Sequence, residues 1–165
     1  MSHLARAAKP KTKPPMITIV GTPGTGKTTL GAMFPNALMV MSEDGASVFD
    51  SWDEEAKPSV LPRLPKASKD EVGNLKSTRE TLLSIMDELI STDHGFTSLV
   101  VDSITSLDML FGHEIALRDG VNTVADASGG FHKGYAEVAS WHAEFVYKCE
   151  QLRAVKRMGI VFLAH

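Results

Sequence analysis

The stretch Gly21-Thr22-Pro23-Gly24-Thr25-Gly26-Lys27-Thr28 decides the fold of this chain. It fits the pattern G-x-x-x-x-G-K-[ST], a glycine-rich loop whose backbone N–H groups face the phosphates of a nucleotide. The apolar run 16–20 before it predicts a buried strand, and residues 28–34 after it predict a helix. An incidental glycine turn is the alternative. The strand and helix on either side favour a nucleotide site.

Each position of this loop has a chemical role in such a site. The stretch from Gly21 to Thr29 binds ATP in this interpretation, with Lys27 reaching the β- and γ-phosphates and the Thr28 hydroxyl binding Mg²⁺. Thr29 adds a second polar group at the start of the helix. We therefore expect ATP and Mg²⁺ as cofactors.

A candidate metal ligand follows the apolar run 97–101, which predicts a strand that ends in Asp102. An acid at the end of such a strand lies beside the Mg²⁺ that the loop hydroxyl binds. The alternative is that Asp102 and Ser103 only cap the following helix. We expect Asp102 to be a metal ligand, and both roles are compatible.

Hydrolysis of ATP needs a carboxylate that activates water. Many oligomeric ATPases have a Glu directly after the strand-end Asp, where this chain has Ser103. Glu43, which follows the strand predicted at 37–41, is our candidate base, with Asp44 as the second choice. Two solvated loop acids are the alternative. If the last strand lies between the loop strand and the Asp102 strand, His165 points toward the γ-phosphate and can sense it.

The order of elements predicts an α/β fold with a mainly parallel sheet flanked by helices. Strands are predicted at 16–20, 37–41, 97–101 and 159–164, and further helices at 78–90, from 104 and from 135. Residues 42–75 are predicted as loop with one short helix, and residues 118–134 as a long loop. Because a buried last strand needs partners on both sides, we expect the natural protein to continue past His165.

Composition limits the class of protein. With 165 residues, 43% of them hydrophobic, and a net charge of −3, the chain fits one globular domain and not a generally basic nucleic-acid binder. No run reaches the length of a membrane span, so no membrane partner is expected. The lone Cys149 fits a reducing cytoplasm. Six histidines without ligand spacing make a zinc site unexpected.

The N-terminal residues 1–15 differ from the rest of the chain. They carry basic residues and prolines but no acid, which predicts a disordered basic tail before a core domain at 16–165. A solvated leader is the favoured interpretation of this tail, and a nucleic-acid arm is the alternative.

The motifs together resemble the RecA-like core of phage-encoded recombination ATPases, the group linked to single-strand annealing. The resemblance spans about residues 16–165. It rests on the glycine-rich loop 21–28, called the P-loop from here on, and on three further stretches: Ser42-Glu43, Leu99-Val100-Val101-Asp102-Ser103 and Phe162-Leu163-Ala164-His165. It implies a RecA-like P-loop NTPase core in which Glu43 activates water and His165 couples the nucleotide state to DNA binding. It also implies a cytoplasmic ATPase, in the host cytoplasm if the protein is phage-encoded.

The resemblance further implies single-stranded DNA as a partner, a homo-oligomer, and an accessory single-stranded DNA-binding protein. The first DNA loop of such cores maps to about 120–134, where Phe131, His132, Lys133 and Tyr135 are suited to stack on bases and contact phosphate. The alternative is a flexible loop whose aromatics pack against the next helix. The second DNA loop would begin past His165.

Two other functions remain open. A small-molecule or nucleotide kinase would need a lid rich in arginines, but the 118–134 loop has only Arg118 and Lys133 as cations. An ATP-gated binding module would bind nucleotide without hydrolysing it. Replacement of Glu43 by Gln distinguishes such a binding module from an ATPase: an ATPase would lose turnover and keep ATP binding, whereas the module would barely change.

Overall fold

The computed structural model describes residue 9 and residues 11–165. Its main sheet has five strands, all parallel, which confirms the predicted α/β class. A separate antiparallel hairpin adds two short strands. In chain order the strands are β1 (Met16–Val20), β2 (Ala37–Met41), β3 (Ser59–Val60), β4 (Ser68–Lys69), β5 (Leu75–Lys76), β6 (Ser98–Asp102) and β7 (Gly159–Ala164).

The strand order of the sheet is β1-β7-β6-β2-β3. The last strand, β7, therefore lies between the P-loop strand and the Asp102 strand, which is the arrangement that the sequence interpretation of His165 required. Every residue of β2 and β6 is buried, because helices cover both faces of the sheet. Parallel strands place their carboxyl ends at one edge, so Val20, Met41, Asp102 and Ala164 all point toward the same region.

Four helices surround the sheet: α1 (Lys27–Ala32), α2 (Thr78–Ser91), α3 (Ile104–Asp119) and α4 (Lys133–Val155). The first is shorter than predicted and ends at Ala32, three residues before Pro35, which cannot continue a helix. Serine side chains cap α2 and α3: Ser77 accepts from the Glu80 N–H, and Ser103 from the Ser106 N–H.

The segment 42–76 is more ordered than the sequence predicts. It contains two 3-10 turns, Ala46–Phe49 and Glu54–Ala56, followed by β3 and the β4–β5 hairpin. The expectation of loop with one short helix is wrong here. Two-residue strands carry no periodic pattern, so β3 is recognisable only from its pairing with Leu38 and Met39.

The core has one cluster on each face of the sheet. Side chains from α2, α3 and α4, including Leu82, Phe111 and Phe145, pack on one face. The other face is covered by Ala32 of α1 and by Phe49. Cys149 is fully buried, and burial raises the pKa of its thiol to about 12, so this cysteine is a packing residue rather than a nucleophile.

Of the predicted tail, residues 1–8 and 10 lie outside the described part of the chain. The described residues 12–15 contact α4 and β7: Arg153 donates to the Pro14 carbonyl, Lys13 pairs with Glu150, and the Ile160 N–H donates to the Pro15 carbonyl. Across the described residues, no helix combines the length and apolar character that crossing a bilayer requires.

Candidate nucleotide-binding site

The P-loop connects β1 to α1 and curls back over its own lysine. Gly24 and Gly26 both have φ of 82°, a conformation that favours glycine. Lys27 is 8% exposed, and its Nζ donates to the carbonyls of Gly21 at 2.7 Å and Thr22 at 3.0 Å. The ammonium group is therefore held inside the loop, where a phosphate group would replace these carbonyls as its partner.

Thr28 and Asp102 meet although 74 residues separate them. The Thr28 hydroxyl donates a 2.6 Å hydrogen bond to Oδ2 of Asp102, which is 2% exposed. Burial raises the pKa of Asp102, and the nearby Glu43 carboxylate adds to this effect, whereas the hydrogen bond from Thr28 opposes it. A buried carboxylate beside a hydroxyl is an oxygen donor pair that fits Mg²⁺.

The alternative role of Asp102 as a helix cap is taken by its neighbour. Ser103 caps α3 with its own hydroxyl, which leaves the Asp102 carboxylate for Thr28. No three His, Cys, Asp or Glu side chains form a metal cage among the described residues. Mg²⁺ at a nucleotide site needs fewer protein ligands, because it keeps waters and binds phosphate oxygens.

Glu43 belongs to a hydrogen-bonded cluster at the carboxyl edge of the sheet. Its Oε1 lies 3.1 Å from Nε2 of His165, and its Oε2 accepts a 2.7 Å hydrogen bond from the Ser106 hydroxyl. His165 Nε2 also lies 3.2 Å from Oγ of Ser103. Asp44, the second choice as base, is exposed and makes no side-chain hydrogen bond within the described residues. The structure therefore brings Glu43, and not Asp44, to the site.

Three serines that the sequence analysis did not assign to the site hold this edge together. The Ser42 hydroxyl donates to the Ser103 carbonyl at 2.6 Å and accepts from the Ser103 N–H at 2.9 Å. Ser106 completes the set through Glu43. The only sequence signal was the position of Ser42 and Ser103 directly after predicted strands, which does not indicate that they pair.

A cleft of about 500 Å³ joins the P-loop to this cluster. Residues of the P-loop line it together with Glu43 and His165. The lining residues are Pro23, Gly24, Gly26, Lys27, Thr28, Thr29, Glu43, Val48 and His165. The candidate phosphate-binding, metal-binding and base residues Lys27, Thr28 and Glu43 thus share one cleft, whose lining does not include Asp102.

The residues predicted to contact DNA lie elsewhere, at the start of α4. Phe131 is 93% exposed, so it does not pack against the helix as the alternative interpretation required. The rings of His132 and Tyr135 stack with centroids 5.9 Å apart, and Tyr135 is itself exposed. None of these residues, nor Lys133, lines the nucleotide cleft.

Comparison with known proteins gives one clear relationship. No curated protein sequence matches the chain. Residues 13–165 match the family described as the AAA domain. The match covers nearly all of the chain, including the P-loop, Glu43, Asp102 and His165, and it agrees with the parallel sheet of a P-loop NTPase-like fold. This chain therefore belongs to the AAA domain family.

Proposed function

We propose that this protein is a Mg²⁺-dependent ATPase in which Glu43 activates the attacking water. The observation that carries this proposal is the shared cleft, which Glu43, Lys27 and Thr28 all line. Glu43 is also fixed by two hydrogen-bond partners, as a positioned base requires. Membership in the AAA domain family supports nucleotide binding.

The P-loop residues bind and orient the triphosphate. Lys27 exchanges the carbonyls of Gly21 and Thr22 for phosphate oxygens, and the loop N–H groups neutralise the remaining charge. Thr28 and Asp102 would hold Mg²⁺, and the ion would offset the charge that develops on the phosphates during transfer.

Glu43 then accepts a proton from a water molecule in line with the γ-phosphorus. The water oxygen forms a bond to phosphorus while the bond to the bridging oxygen of ADP breaks, so the products are ADP and inorganic phosphate. His165 lies beside Glu43 in the same cleft, and it reports the presence of the γ-phosphate through this contact.

The biological substrate in this proposal is single-stranded DNA, acted on in recombination or annealing in the cytoplasm, including that of a phage-infected host. The exposed aromatics Phe131 and Tyr135 and the exposed Lys133 support DNA contact at the start of α4. A homo-oligomer is part of the proposal because Lys27 is the only cation lining the cleft within the described residues, so a neighbouring subunit would supply another. A single-stranded DNA-binding protein is a further partner.

The test is steady-state ATP hydrolysis with Mg²⁺, in the presence and absence of single-stranded DNA. Glu43→Gln should lose about 100-fold or more in turnover, as expected for a general base, while ATP affinity is retained. The matched control is Asp44→Asn, which removes the same charge one residue away and should hydrolyse ATP like the wild type. Equal turnover in Glu43→Gln and the wild type would refute the proposed base.

Two outcomes would assign a different function. Transfer of the γ-phosphate to an added small molecule or nucleotide would indicate a kinase. ATP binding with no turnover in the wild type would indicate a nucleotide-gated binding module. In the structure Arg118, the one arginine available for a kinase lid in the 118–134 loop, is paired with Glu137 and Asp119.

A further inference from the structure

A second cleft lies next to the nucleotide cleft and has a different chemical character. Its volume is about 290 Å³, and it lies between α3 and the segment that leads into β4. No acidic residue lines it, although acids outnumber bases in the whole chain. The lining residues are Ser42, Lys66, Ser106, Met109, Leu110 and His113.

Lys66 is the cation of this cleft, and it has no carboxylate partner. No ion pair joins it to an acid anywhere in the described part of the chain, and its ammonium group makes no hydrogen bond there. Three other cations of the stretch 63–76 also make no ion pair and no side-chain hydrogen bond within the described residues: Arg63, Lys69 and Lys76. The acids of this segment, Asp70 and Glu71, lie at the turn of the β4–β5 hairpin, where Asp70 binds Asn74. Lys66 therefore brings to this cleft a positive charge that no carboxylate pairs with in the described part of the chain.

His113 fixes the backbone beside Lys66. Its Nε2 lies 3.1 Å from the Ala67 carbonyl, and because a carbonyl only accepts, Nε2 carries the proton and donates. The Thr78 hydroxyl donates to the Pro65 carbonyl at 2.6 Å on the other side of Lys66. Lys66 thus extends from a segment that is held on both sides, and less entropy is lost when it binds an anion.

Ser106 forms the wall between the two clefts. Its side chain lines the Lys66 cleft, while its hydroxyl donates to Oε2 of Glu43, which lines the nucleotide cleft. A ligand that takes this hydroxyl as its own hydrogen-bond partner removes one of the two groups that hold Glu43. Occupancy of one cleft is thereby linked to the freedom of the carboxylate in the other.

We propose that the Lys66 cleft binds a phosphodiester of single-stranded DNA and that Ser106 transmits its occupancy to Glu43. Lys66 pairs with the phosphate, and Met109, which is 65% exposed, contacts the sugar or base. This inference rests on the proposed ATPase function, because it names where DNA would act on that same site. Ser106 and His113 are positioning residues: they act through Glu43 and Lys66.

The test of binding is fluorescence anisotropy with a labelled single-stranded oligothymidylate at several salt concentrations. Lys66→Ala should weaken binding several-fold and reduce the slope of log affinity against log salt by about 0.7, the value for one phosphate contact on a single strand. Lys57→Ala, which removes the same charge from a lysine paired with Glu54, is the matched control and should bind like the wild type. His113→Ala should weaken binding, and His113→Gln, which keeps a donor for Ala67, should restore it.

The test of coupling is the ratio of ATP turnover with and without the oligonucleotide. Because a freed Glu43 is a poorer base, the oligonucleotide should lower turnover of the wild type. Ser106→Ala has already lost this contact and should bring the ratio close to one, whereas Lys66→Ala should raise the DNA concentration for the half-maximal decrease and leave the size of the decrease intact. A decrease in Ser106→Ala equal to that of the wild type would overturn the coupling. The binding site would be overturned if Lys66→Ala binds DNA like the wild type, including the case in which only Phe131→Ala or Lys133→Ala weakens binding.

These results are separable from failure of the proposed function. A wild-type protein that binds the oligonucleotide through Lys66 but does not hydrolyse ATP would refute the ATPase and retain the DNA site. A protein that hydrolyses ATP through Glu43 and does not bind DNA would support the ATPase and refute the DNA site.

Discussion

Nε2 of His165 lies 3.1 Å from Oε1 of Glu43, although 122 residues separate them in the chain. The contact exists because β7 and β2 flank β6 in a parallel sheet, so that the residues that follow all three strands meet at one edge. Ser103, at the end of the middle strand, contacts the same imidazole. The candidate base is thus held by His165, the residue proposed to sense the γ-phosphate in the same cleft.

This contact predicts the behaviour of His165 variants. His165→Ala removes one of the two hydrogen-bond partners of Glu43, and a misplaced base should lower turnover on the order of 10–100-fold. ATP affinity should change little, because the P-loop contacts are intact. His165→Gln keeps a polar side chain in the cleft and should recover part of the rate. Steady-state kinetics and equilibrium nucleotide binding measure both quantities, and a large loss of ATP affinity in His165→Ala would contradict this assignment.

Replacement of Asp102 by Asn is expected to leave the stability of the nucleotide-free protein intact and to weaken metal binding. Burial disfavours its charge, so Asp102→Asn, which keeps the shape and an acceptor for Thr28, should not lower the Tm of the nucleotide-free protein. The same variant should lose the Mg²⁺-dependent part of the Tm increase produced by ATP. Thermal unfolding with ATP in EDTA and in Mg²⁺ separates the two effects. An Mg²⁺ response equal to that of the wild type would exclude Asp102 as a ligand.

Glu114 stabilises the start of α2 from α3. It is 3% exposed, and its carboxylate accepts from the Ser77 hydroxyl and from the Arg79 N–H. Glu114→Ala leaves the buried Ser77 hydroxyl and the part-buried Arg79 N–H without this acceptor, so it should reduce the free energy of unfolding by about 2–4 kcal/mol. Glu114→Gln retains one acceptor oxygen and should lose less. Urea unfolding gives both values, and equal losses in the two variants would contradict the role assigned to the acceptor oxygen that Gln retains.

His142 predicts a pH dependence of stability. Burial lowers the pKa of His142 below its usual 6.5, and the attraction of Asp108 only partly opposes this effect. The unfolded chain therefore binds a proton more readily, so the stability that the neutral imidazole contributes is present above about pH 6.5 and is lost as the pH falls below it. The free energy of unfolding should fall less on acidification in His142→Leu than in the wild type. Parallel curves for the two proteins between about pH 5 and pH 8 would contradict this expectation.

The sequence predicted the elements that depend on local patterns. A fully apolar run predicts a buried strand, and the conformation of a glycine-rich loop before a helix depends on residues only a few positions away. The four main strands and the four helices were found on this basis. The missed elements, β3 and the β4–β5 hairpin, have two residues in each strand, and their structure depends on partners elsewhere in the chain.

The sequence by itself determined the P-loop and the strand that ends in Asp102, because the residues that form each of them are consecutive in the chain. The tertiary structure alone decided which polar side chains meet. It brought Glu43 rather than Asp44 to His165, placed Ser106 between two clefts, and left Lys66 without a carboxylate partner among the residues that the structure describes. These contacts join residues tens of positions apart, and their geometry follows from the order of strands in the sheet, which no local pattern encodes.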